Sequence, residues 1–424
     1  MKQVLQPVKD PIHAKILIPG SKSISNRALL LAALANGVSE VRNIQISDDI
    51  RFMVKALSDL GVSIQLDEKA HKVVVGGCSG QFLNKHCAIW CGESGTLARF
   101  IMAACAGVSG AYYFDGAAAL RKRPMGTLLN ILVSQGVTCI PNDTDNLPIT
   151  IISANGLRGG KVFVDGSKTG QTVSALLMIA PFARSALSIR VEHLVSRSYV
   201  DLTCSVMEEF GVHVDCPHDL EFTVTPPQSY DARDYTVEPD LSTASYFFAA
   251  AAVTGGEMTV QPIHRSAIRQ GDVIFLSILE KMGCEVLEQS SGLKVVGPLR
   301  LQGAEVNMQD CPDLFMTLAV IAPFAKTPTT ITGIGHARFK ESDRLTVMRQ
   351  GLESLGVHVE EGDSWIKIYP SIPHGGIVKS HNDHRIAMAF SVLALCVPGI
   401  IIEDAECVSK SCPEFFQMWK KLQP

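Results

Sequence analysis

The 424-residue sequence predicts an α/β fold of two lobes, each containing three repeats of about 70 residues. Three observations predict this fold. A helix that ends at a glycine recurs along the chain, an apolar helix of small residues recurs in phase with it, and polar or cationic residues precede most copies of the apolar helix. Two elements that repeat in phase indicate a repeat architecture rather than chance similarity between unrelated helices.

The first repeated element is a helix that ends at a glycine and is followed by Val or Cys. The glycines are Gly61, Gly136, Gly211, Gly283 and Gly356, so successive copies are separated by 75, 75, 72 and 73 residues. Glycine suits a helix C-terminus because it adopts the left-handed conformation without steric cost. Each copy therefore predicts the end of a helix with a strand following it.

The second repeated element is an apolar helix rich in Ala, Leu, Met and Phe. Its six copies occupy residues 26–37, 95–107, 171–183, 242–256, 313–325 and 384–396. These segments are apolar almost all round, as expected of helices that are buried behind sheets. Six units, each with strands and two helices, predict three units in each of two lobes.

Composition limits the class of protein. Hydrophobic residues make up 46% and charged residues 19%, which predicts an ordered chain with a large core. The net charge of −4 argues against a general nucleic-acid binder but leaves room for a local basic cleft. The twelve cysteines form no C-x-x-C pair, which favours reduced thiols in a cytoplasmic protein over a zinc site.

The sequence predicts no targeting segment at its start and no membrane span. The first twenty residues lack the apolar region of a signal peptide. The longest apolar run, 386–402, is interrupted by Ser391 and by Pro398-Gly399, so it predicts a buried helix followed by a strand rather than a membrane span.

The residues that precede the apolar helices predict an anion site. Lys22 resembles a phosphate-loop lysine, but Ser21 separates it from Gly20, so the Walker A spacing is absent. The polar and cationic groups at the other helix starts include Arg27, Gly95, Thr96, Arg99, Lys168, Thr169, Gly170, Gln171, Ser242, Thr243, Asp313, Asn382, Asp383, His384 and Arg385. Helix N-termini carry free N–H groups and partial positive charge. We therefore expect a phosphate or carboxylate site built from several helix ends.

Three loops add further charge, at 120–126, 338–344 and 408–416. Each alone could be a solvated surface segment, and 338–344 could be an ion-paired helix start. Together they supply several arginines, which bind carboxylates and phosphates in bidentate fashion. Asp313, Glu341 and His384 could transfer protons, although each acid could instead hold an arginine in position.

Ten motifs, in order along the chain, resemble those of the EPSP synthase family, the 3-phosphoshikimate 1-carboxyvinyltransferases. They include PGSKSISNRALLLAAL (19–34), GESGT (92–96), RKRPMG (121–126), LVSRSYVD (194–201), KESDR (340–344), NDHRIAM (382–388) and SKSCPEFF (409–416). The resemblance implies a two-lobed inside-out α/β barrel, or prism, of βαβαββ repeats. Lobe one would contain residues 1–20 and 238–424 and lobe two residues 21–237, with the active site in the cleft between them.

The resemblance also implies the reaction and its residues. The enolpyruvyl group of phosphoenolpyruvate would move to the 5-hydroxyl of shikimate 3-phosphate, with no metal or organic cofactor. The residues expected to bind shikimate 3-phosphate are Lys22, Ser23, Arg27, Thr169, Gly170, Gln171, Ser196, Tyr199, Asp313, His336 and Lys340. Those expected to bind phosphoenolpyruvate are Lys22, Gly95, Arg123, Gln171, Arg344, Arg385 and Lys410. Asp313 would be the base on the 5-hydroxyl, and Glu341, with Lys22, would carry the proton to and from the methylene carbon.

Three positions depart from the family pattern. Gly170 stands where a serine is usual, His336 where an asparagine is usual, and Phe100 where many members have proline. The last of these neighbours the loop expected to bind phosphoenolpyruvate, whose place the herbicide glyphosate takes in the family.

Two alternatives stay open beside this expectation. A sister enzyme transfers enolpyruvate to UDP-N-acetylglucosamine, but it typically has Asn at the position of Ser23 and Cys at that of Ala118. A non-catalytic anion-binding protein could share the fold, since fold alone does not determine function. We otherwise expect small-molecule substrates only, no nucleic-acid or membrane partner, and a cytoplasmic monomer.

Overall fold

The chain folds into two compact units. The computed structural model describes residues 1–142 and 144–422. Unit 1 consists of Met1–Pro19 together with Glu238–Pro424, and unit 2 of Gly20–Val237. Unit 1 is therefore discontinuous in sequence, whereas unit 2 is one continuous segment.

The strands are short, mostly of three to six residues. In chain order they are β1 (Gln3–Val4), β2 (His13–Leu17), β3 (Val38–Arg42), β4 (Ser63–Asp67), β5 (Lys72–Gly76), β6 (His86–Trp90), β7 (Gly110–Asp115), β8 (Thr138–Ile140), β9 (Ile149–Ser153), β10 (Gly160–Asp165), β11 (Leu187–Glu192), β12 (Asp215–His218), β13 (Glu221–Val224), β14 (Asp234–Thr236), β15 (Glu257–Gln261), β16 (Glu285–Gln289), β17 (Gly292–Val296), β18 (Glu305–Asn307), β19 (Thr329–Thr332), β20 (Val359–Glu361), β21 (Ile366–Ile368), β22 (Gly376–Lys379) and β23 (Ile400–Glu403).

The helices alternate with these strands. They are α1 (Lys22–Leu34), α2 (Asp48–Asp59), α3 (Gly95–Ala106), α4 (Ala118–Arg121), α5 (Gly126–Ser134), α6 (Gln171–Ile179), α7 (Arg197–Glu209), α8 (Leu241–Thr254), α9 (Ile274–Lys281), α10 (Phe315–Ile321), α11 (Arg344–Glu353), α12 (His384–Leu393) and α13 (Phe415–Lys420).

Unit 2 contains three four-stranded sheets of one design. Their strand orders are β14-β3-β5-β4, β6-β7-β9-β8 and β10-β11-β13-β12. In each sheet the first two strands are parallel and the remaining pairs are antiparallel. Strand β14 comes from the end of the unit and supplies the parallel neighbour of β3, which completes the first repeat.

Unit 1 repeats this design with one reduced member. Two sheets have the orders β16-β17-β15-β2 and β18-β19-β21-β20, and the third has the order β1-β23-β22. The parallel pairs are β2 with β15, β18 with β19, and β22 with β23. The six sheets confirm the predicted set of six repeats, three to each unit.

The apolar helices lie inside each unit. In unit 2, α3 packs against both α1 and α6, and in unit 1 the helices α8, α10 and α12 all pack against one another. These helices are buried along almost their whole length, as in α1, where every residue from Ile24 to Leu34 is buried. The sheets are mixed and these helices cover one face of each, so strands such as β11 and β7 alternate between more buried and more exposed residues.

The repeated glycines end the outer helices as predicted. Gly61, Gly136, Gly211, Gly283 and Gly356 have φ angles between 81° and 97°, the left-handed region that favours glycine. The run 386–402 forms the buried helix α12 and the strand β23, which confirms the expectation for that segment. Among the residues described, none of the helices combines the length and the apolar character that a membrane span needs.

Candidate active site

Arg344 is the centre of an ion-pair network in unit 1. It is 1% exposed and donates to three carboxylates through all three guanidinium nitrogens. Nη1 donates to Asp313 Oδ1 at 2.7 Å, Nη2 to Glu341 Oε2 at 2.8 Å, and Nε to Asp383 Oδ2 at 2.8 Å. One buried cation thus holds three acids from three separate segments of the chain.

Two further cations complete this network. Arg385 Nη2 lies 2.8 Å from Asp313 Oδ2, and Lys410 Nζ lies 3.2 Å from Glu341 Oε1. Both cations are nearly buried, with 7% of each side chain exposed. With Arg344 and its three acids they form a cluster of three positive and three negative groups. We call these six residues the Arg344 cluster.

The local sequence explains how this cluster is placed. Asp343 is the N-cap of α11 and accepts from Thr346 N, so α11 begins at Arg344 itself. Asp383 is the N-cap of α12 and accepts from Arg385 N at 3.0 Å. Helix caps of this kind fix the first residue of a helix, and here the first turn in both cases carries an arginine of the network.

The charges of the cluster shift its ionisation. Burial alone would raise the pKa of Asp313, but the positive charges of Arg385 and Arg344 hold that pKa well below its usual 3.8. Burial likewise opposes the charge of Arg344, yet Asp383, Glu341 and Asp313 raise its pKa above the usual value. Asp313 and Arg344 therefore both stay charged at neutral pH.

His336 and Lys340 lie beside the Arg344 cluster. Burial, aided by the charge of Lys340, lowers the pKa of His336 to about 3. His336 is therefore a neutral imidazole at pH 7, with one donor and one acceptor nitrogen. The side-chain amide of asparagine likewise has a donor group, the NH2, and an acceptor group, the carbonyl oxygen. Lys340 is half-buried and its charge also lowers the pKa of Asp313.

Asp272 is a buried acid near this cluster that the sequence did not predict. It is 5% exposed and accepts a hydrogen bond from Ser242 Oγ at the start of α8. Burial raises the pKa of Asp272 to about 7, and the negative charge of Asp313 acts in the same direction.

Arg27 is the central cation of a second group, in unit 2. It is 2% exposed, and its guanidinium group donates to neutral oxygens. Nε donates to Thr203 Oγ1 at 2.7 Å, Nη1 to Ser23 O at 2.8 Å, and Nη2 to Tyr199 O at 2.9 Å. Burial lowers the pKa of Arg27 to about 10, so the guanidinium keeps its charge at neutral pH.

The ring of Phe100 packs against the guanidinium group of Arg27. The Arg27 guanidinium carbon lies 5.2 Å from the centroid of the Phe100 ring, which is fully buried in α3. A cation–π contact of this kind stabilises a buried positive charge. The Phe100 departure therefore bears on the Arg27 group and not only on the neighbouring loop.

Gly95, Arg99, Arg123 and Gln171 form a third group, also in unit 2. A side-chain carbon at Gly95 would lie 2.9 Å from Arg99 Nη1 and 2.9 Å from the Arg123 guanidinium carbon, so a larger residue would displace the ends of both arginine side chains. Arg99 Nη1 donates to Gln171 Oε1 at 2.8 Å, and Gln171 Nε2 donates to Thr96 Oγ1 at 3.0 Å. These bonds tie the N-terminus of α6 to that of α3.

The remaining predicted residues of unit 2 lie near the same helix starts. Lys22 Nζ is 3.2 Å from Asp49 Oδ2, a buried carboxylate that the sequence did not single out. Thr169 Oγ1 accepts from Gln171 N, and Ser196 is the N-cap of α7 in the left-handed conformation. A side-chain carbon at Gly170 would lie 3.2 Å from Val195 O and 3.4 Å from Ser196 O, so this site is too tight for serine without a small shift.

The chain matches the model of the family "EPSP synthase (3-phosphoshikimate 1-carboxyvinyltransferase)" over residues 7–419. The chain belongs to the EPSP synthase family. A 3-phosphoshikimate 1-carboxyvinyltransferase of Trichormus variabilis is 42% identical, with 97% of each chain covered. One of Vibrio campbellii is 40% identical, covering 99% of this chain and 98% of the relative.

Solved structures agree with this assignment. An EPSP synthase of Acinetobacter baumannii superposes with a TM-score of 0.84 at 25% identity, covering 100% of this chain and 98% of that one. The enolpyruvyl transferase NikO of Streptomyces tendae superposes with a TM-score of 0.79 at 16% identity, over 99% and 97% of the two chains, and so shares the fold.

Within the family frame, the structure adds residues that the motifs left without a role. Asp383 pairs with Arg344, and Asp49 pairs with Lys22. Thr203 and Ser174 accept hydrogen bonds from Arg27. Arg99 donates a hydrogen bond to Gln171. Only Asp383 and Arg99 had a sequence signal, their place at an apolar-helix start. Within residues 1–142 and 144–422, the structure contains no group of three or more His, Cys, Asp or Glu side chains that could hold a metal ion.

Proposed function

We propose that this chain transfers the enolpyruvyl group of phosphoenolpyruvate to the 5-hydroxyl of shikimate 3-phosphate and releases phosphate, as part of aromatic amino acid biosynthesis by the shikimate pathway. The observation that carries the proposal is the family match over residues 7–419, together with relatives of the same name at about 40% identity over nearly the whole chain. The buried cations of both units support it, since both substrates are polyanions.

Phosphoenolpyruvate is assigned to Arg344, Arg385 and Lys410 of unit 1 and to Lys22, Gly95, Arg123 and Gln171 of unit 2. In the Arg344 cluster three carboxylates already neutralise three cations. An incoming anion must therefore compete for Arg385 and Lys410, each of which pairs with one acid in that cluster. Guanidinium groups suit this exchange because they bind carboxylate and phosphate equally well in bidentate fashion.

Shikimate 3-phosphate is assigned to the Arg27 group and its neighbours. Arg27 carries a buried positive charge that donates to neutral oxygens, so a bound anion would add a charge attraction at this site. Ser23, Thr169, Gly170, Gln171, Ser196, Tyr199 and Lys22 would add hydrogen bonds on this side. Asp313, His336 and Lys340 of unit 1 would contact the same substrate.

The proposed chemistry has two steps. Glu341, with Lys22, gives a proton to the methylene carbon of phosphoenolpyruvate, and the 5-hydroxyl oxygen bonds to the adjacent carbon while its proton passes to Asp313. The tetrahedral intermediate then loses phosphate, which takes up the proton that Asp313 accepted, and Glu341 takes a proton back from the methyl carbon to restore the double bond. The fixed cations stabilise the charge on the leaving phosphate throughout.

Substrate binding would prepare Asp313 for its role as base. Arg385 and Arg344 hold the pKa of Asp313 low without substrate, which makes it a weak base. When phosphoenolpyruvate takes over those arginines, the lowering effect weakens and burial raises the pKa of this carboxyl. We therefore expect Asp313 to accept a proton only when both substrates are bound.

The test is phosphate release by the purified protein mixed with phosphoenolpyruvate and shikimate 3-phosphate, beside a parallel reaction with UDP-N-acetylglucosamine. Release with the shikimate ester only is the expected result, whereas release with the nucleotide sugar only would overturn the proposal. Asp313→Ala should abolish turnover while shikimate 3-phosphate still binds, and an active variant would refute its role as base. We further propose a cytoplasmic monomer, which sedimentation of the purified protein and localisation of a tagged chain would test.

A further inference from the structure

Arg99 is a buried arginine of unit 2 to which the family motifs give no role. It lies on α3 and is 3% exposed. Ser94 caps this helix by accepting from Leu97 N, so the helix begins at Gly95 and Arg99 lies one turn further on. The cap at the start of α3 therefore fixes where the Arg99 side chain begins.

The guanidinium group of Arg99 donates to three separate places in unit 2. Nη1 donates to Gly95 O at 3.1 Å and to Gln171 Oε1 at 2.8 Å. Nη2 donates to Pro124 O at 2.6 Å, in the segment between α4 and α5. We call residues 122–125 the Arg123 loop. One buried cation thus joins the starts of α3 and α6 to the Arg123 loop.

Each of these three places carries a residue that is assigned above to phosphoenolpyruvate. Gly95 and Gln171 accept from Arg99 directly, and Arg123 precedes the proline whose carbonyl accepts the third bond. The ends of the Arg99 and Arg123 side chains also meet over Gly95, since a side-chain carbon there would lie 2.9 Å from each. Arg99 is therefore placed to set the arrangement of all three groups.

Phe100, the next residue on α3, serves a different group. Its ring centroid lies 5.2 Å from the guanidinium carbon of Arg27, which is assigned to shikimate 3-phosphate. Successive side chains of a helix point about 100° apart, so neighbouring residues of α3 reach different groups. Loss of the Arg99 bonds should therefore leave the contact between Phe100 and Arg27 in place.

We propose that Arg99 is a positioning residue for phosphoenolpyruvate, which holds Gly95, Gln171 and the Arg123 loop in one arrangement without touching the substrate. The effect on turnover rests on the proposed function, whereas the hold on the loop does not. Charge alone does not supply this hold, because lysine presents one nitrogen where arginine presents a planar fork of separate donors. Arg99→Lys therefore keeps the charge and loses part of the hold.

The first experiment measures amide hydrogen exchange in the full chain by mass spectrometry, without substrates. In the wild type the amides of Arg123 and Met125 donate to backbone carbonyls, which protects the Arg123 loop from exchange. We expect the peptide that covers residues 122–126 to exchange about tenfold faster in Arg99→Lys, as for loss of one hydrogen bond to a charged group. Exchange in α7, which carries bonds to Arg27, should not change.

The second experiment separates the two substrates. In steady-state assays Arg99→Lys should raise KM for phosphoenolpyruvate roughly 10- to 100-fold. The dissociation constant of shikimate 3-phosphate, measured by calorimetry, should rise far less, because only Gln171 is shared with that substrate. Phe100→Leu should show the opposite selectivity. The matched control is Arg121→Lys beside the same loop, where the arginine is exposed and pairs with Asp115, and it should change neither constant.

The two readouts separate the possible failures. Unchanged exchange in the Arg123 loop would overturn the proposal, and so would equal rises in the two constants. If Arg99→Lys does not fold, as judged by circular dichroism, Arg99→Gln is measured in the same way, and failure of both to fold would show a structural role and overturn the proposal. A wild-type protein that releases no phosphate would contradict the proposed function, and the exchange measurement would still decide whether Arg99 holds the loop.

Discussion

Replacing Arg344 with methionine removes the one cation that three carboxylates share and keeps a long side chain in its place. Arg344 is 1% exposed, and its bonds to Asp313, Glu341 and Asp383 measure 2.7 to 2.8 Å. The side chains of these acids are 18%, 12% and 0% exposed, so water cannot replace the lost partner fully. Breaking a buried ion pair from one side costs about 3–5 kcal/mol, and we expect a loss of that size at neutral pH.

The loss should depend on pH with a definite sign. In the wild type the pKa of Asp313 is held below its usual 3.8, so its contribution to stability is present above pH 3.8 and is lost as the pH falls through the lower folded value. In Arg344→Met one of the three lowering charges is gone, and burial pushes the pKa of Asp313 upward. The variant must then keep buried carboxylates ionised at high pH, so its deficit should grow from pH 5.5 to pH 8.

Thermal unfolding of the substrate-free protein measures this effect. For a unit of this size 1 kcal/mol corresponds to about 2–4 °C, so a loss of about 3–5 kcal/mol should lower Tm by about 6–20 °C at pH 7. The matched control is Arg349→Met on the same helix, where the arginine is 28% exposed and pairs with Glu353 and Glu361. An exposed pair contributes about 0–1 kcal/mol, so this control should change Tm little at any pH. Equal shifts for both variants, or a deficit for Arg344→Met that does not change with pH, would refute the reasoning.

Three further substitutions test the groups of unit 2. Arg123→Ala should raise KM for phosphoenolpyruvate far more than KM for shikimate 3-phosphate in steady-state assays. The control Arg121→Ala removes an exposed ion pair and should alter neither constant. Equal rises in both constants would show that Arg123 does not belong to the phosphoenolpyruvate site. Phe100→Leu should weaken shikimate 3-phosphate binding roughly 2- to 30-fold by calorimetry, since a cation–π contact contributes about 0.5–2 kcal/mol, and an unchanged affinity would contradict this. Gly170→Ser places a side-chain carbon 3.2 Å from Val195 O. It should lower Tm by a few degrees, and no change in Tm would show that the backbone yields there.

Periodicity along the chain was enough to predict the repeat architecture. The five capping glycines and the six apolar helices appear in the structure where the sequence places them. Such features are local, because a left-handed residue or an apolar helix is specified by a few neighbouring side chains. The partners of β14 and β2 were not predictable in this way, since each strand pairs with a strand roughly 190 or 240 positions away.

The motifs predicted which residues to consider but not what each one touches. In the segment 121–123 only Arg123 is buried, whereas Arg121 forms an exposed ion pair with Asp115. The possibility that 338–344 is an ion-paired helix start is also correct, since Asp343 caps α11 and pairs with Arg338. The segment 338–344 is thus both an ion-paired helix start and part of the Arg344 cluster, because Arg344 points inward and Arg338 lies nearer the surface.

By itself the sequence determined the six repeats, the buried helices and the set of cations and acids available for binding two anionic substrates. Only the tertiary structure decided that Arg344 holds three acids, and that Arg27 donates to neutral oxygens and packs against Phe100. The physical reason is the same in each case. Charge pairing and burial depend on neighbours that are distant in sequence, and packing alone brings those neighbours together.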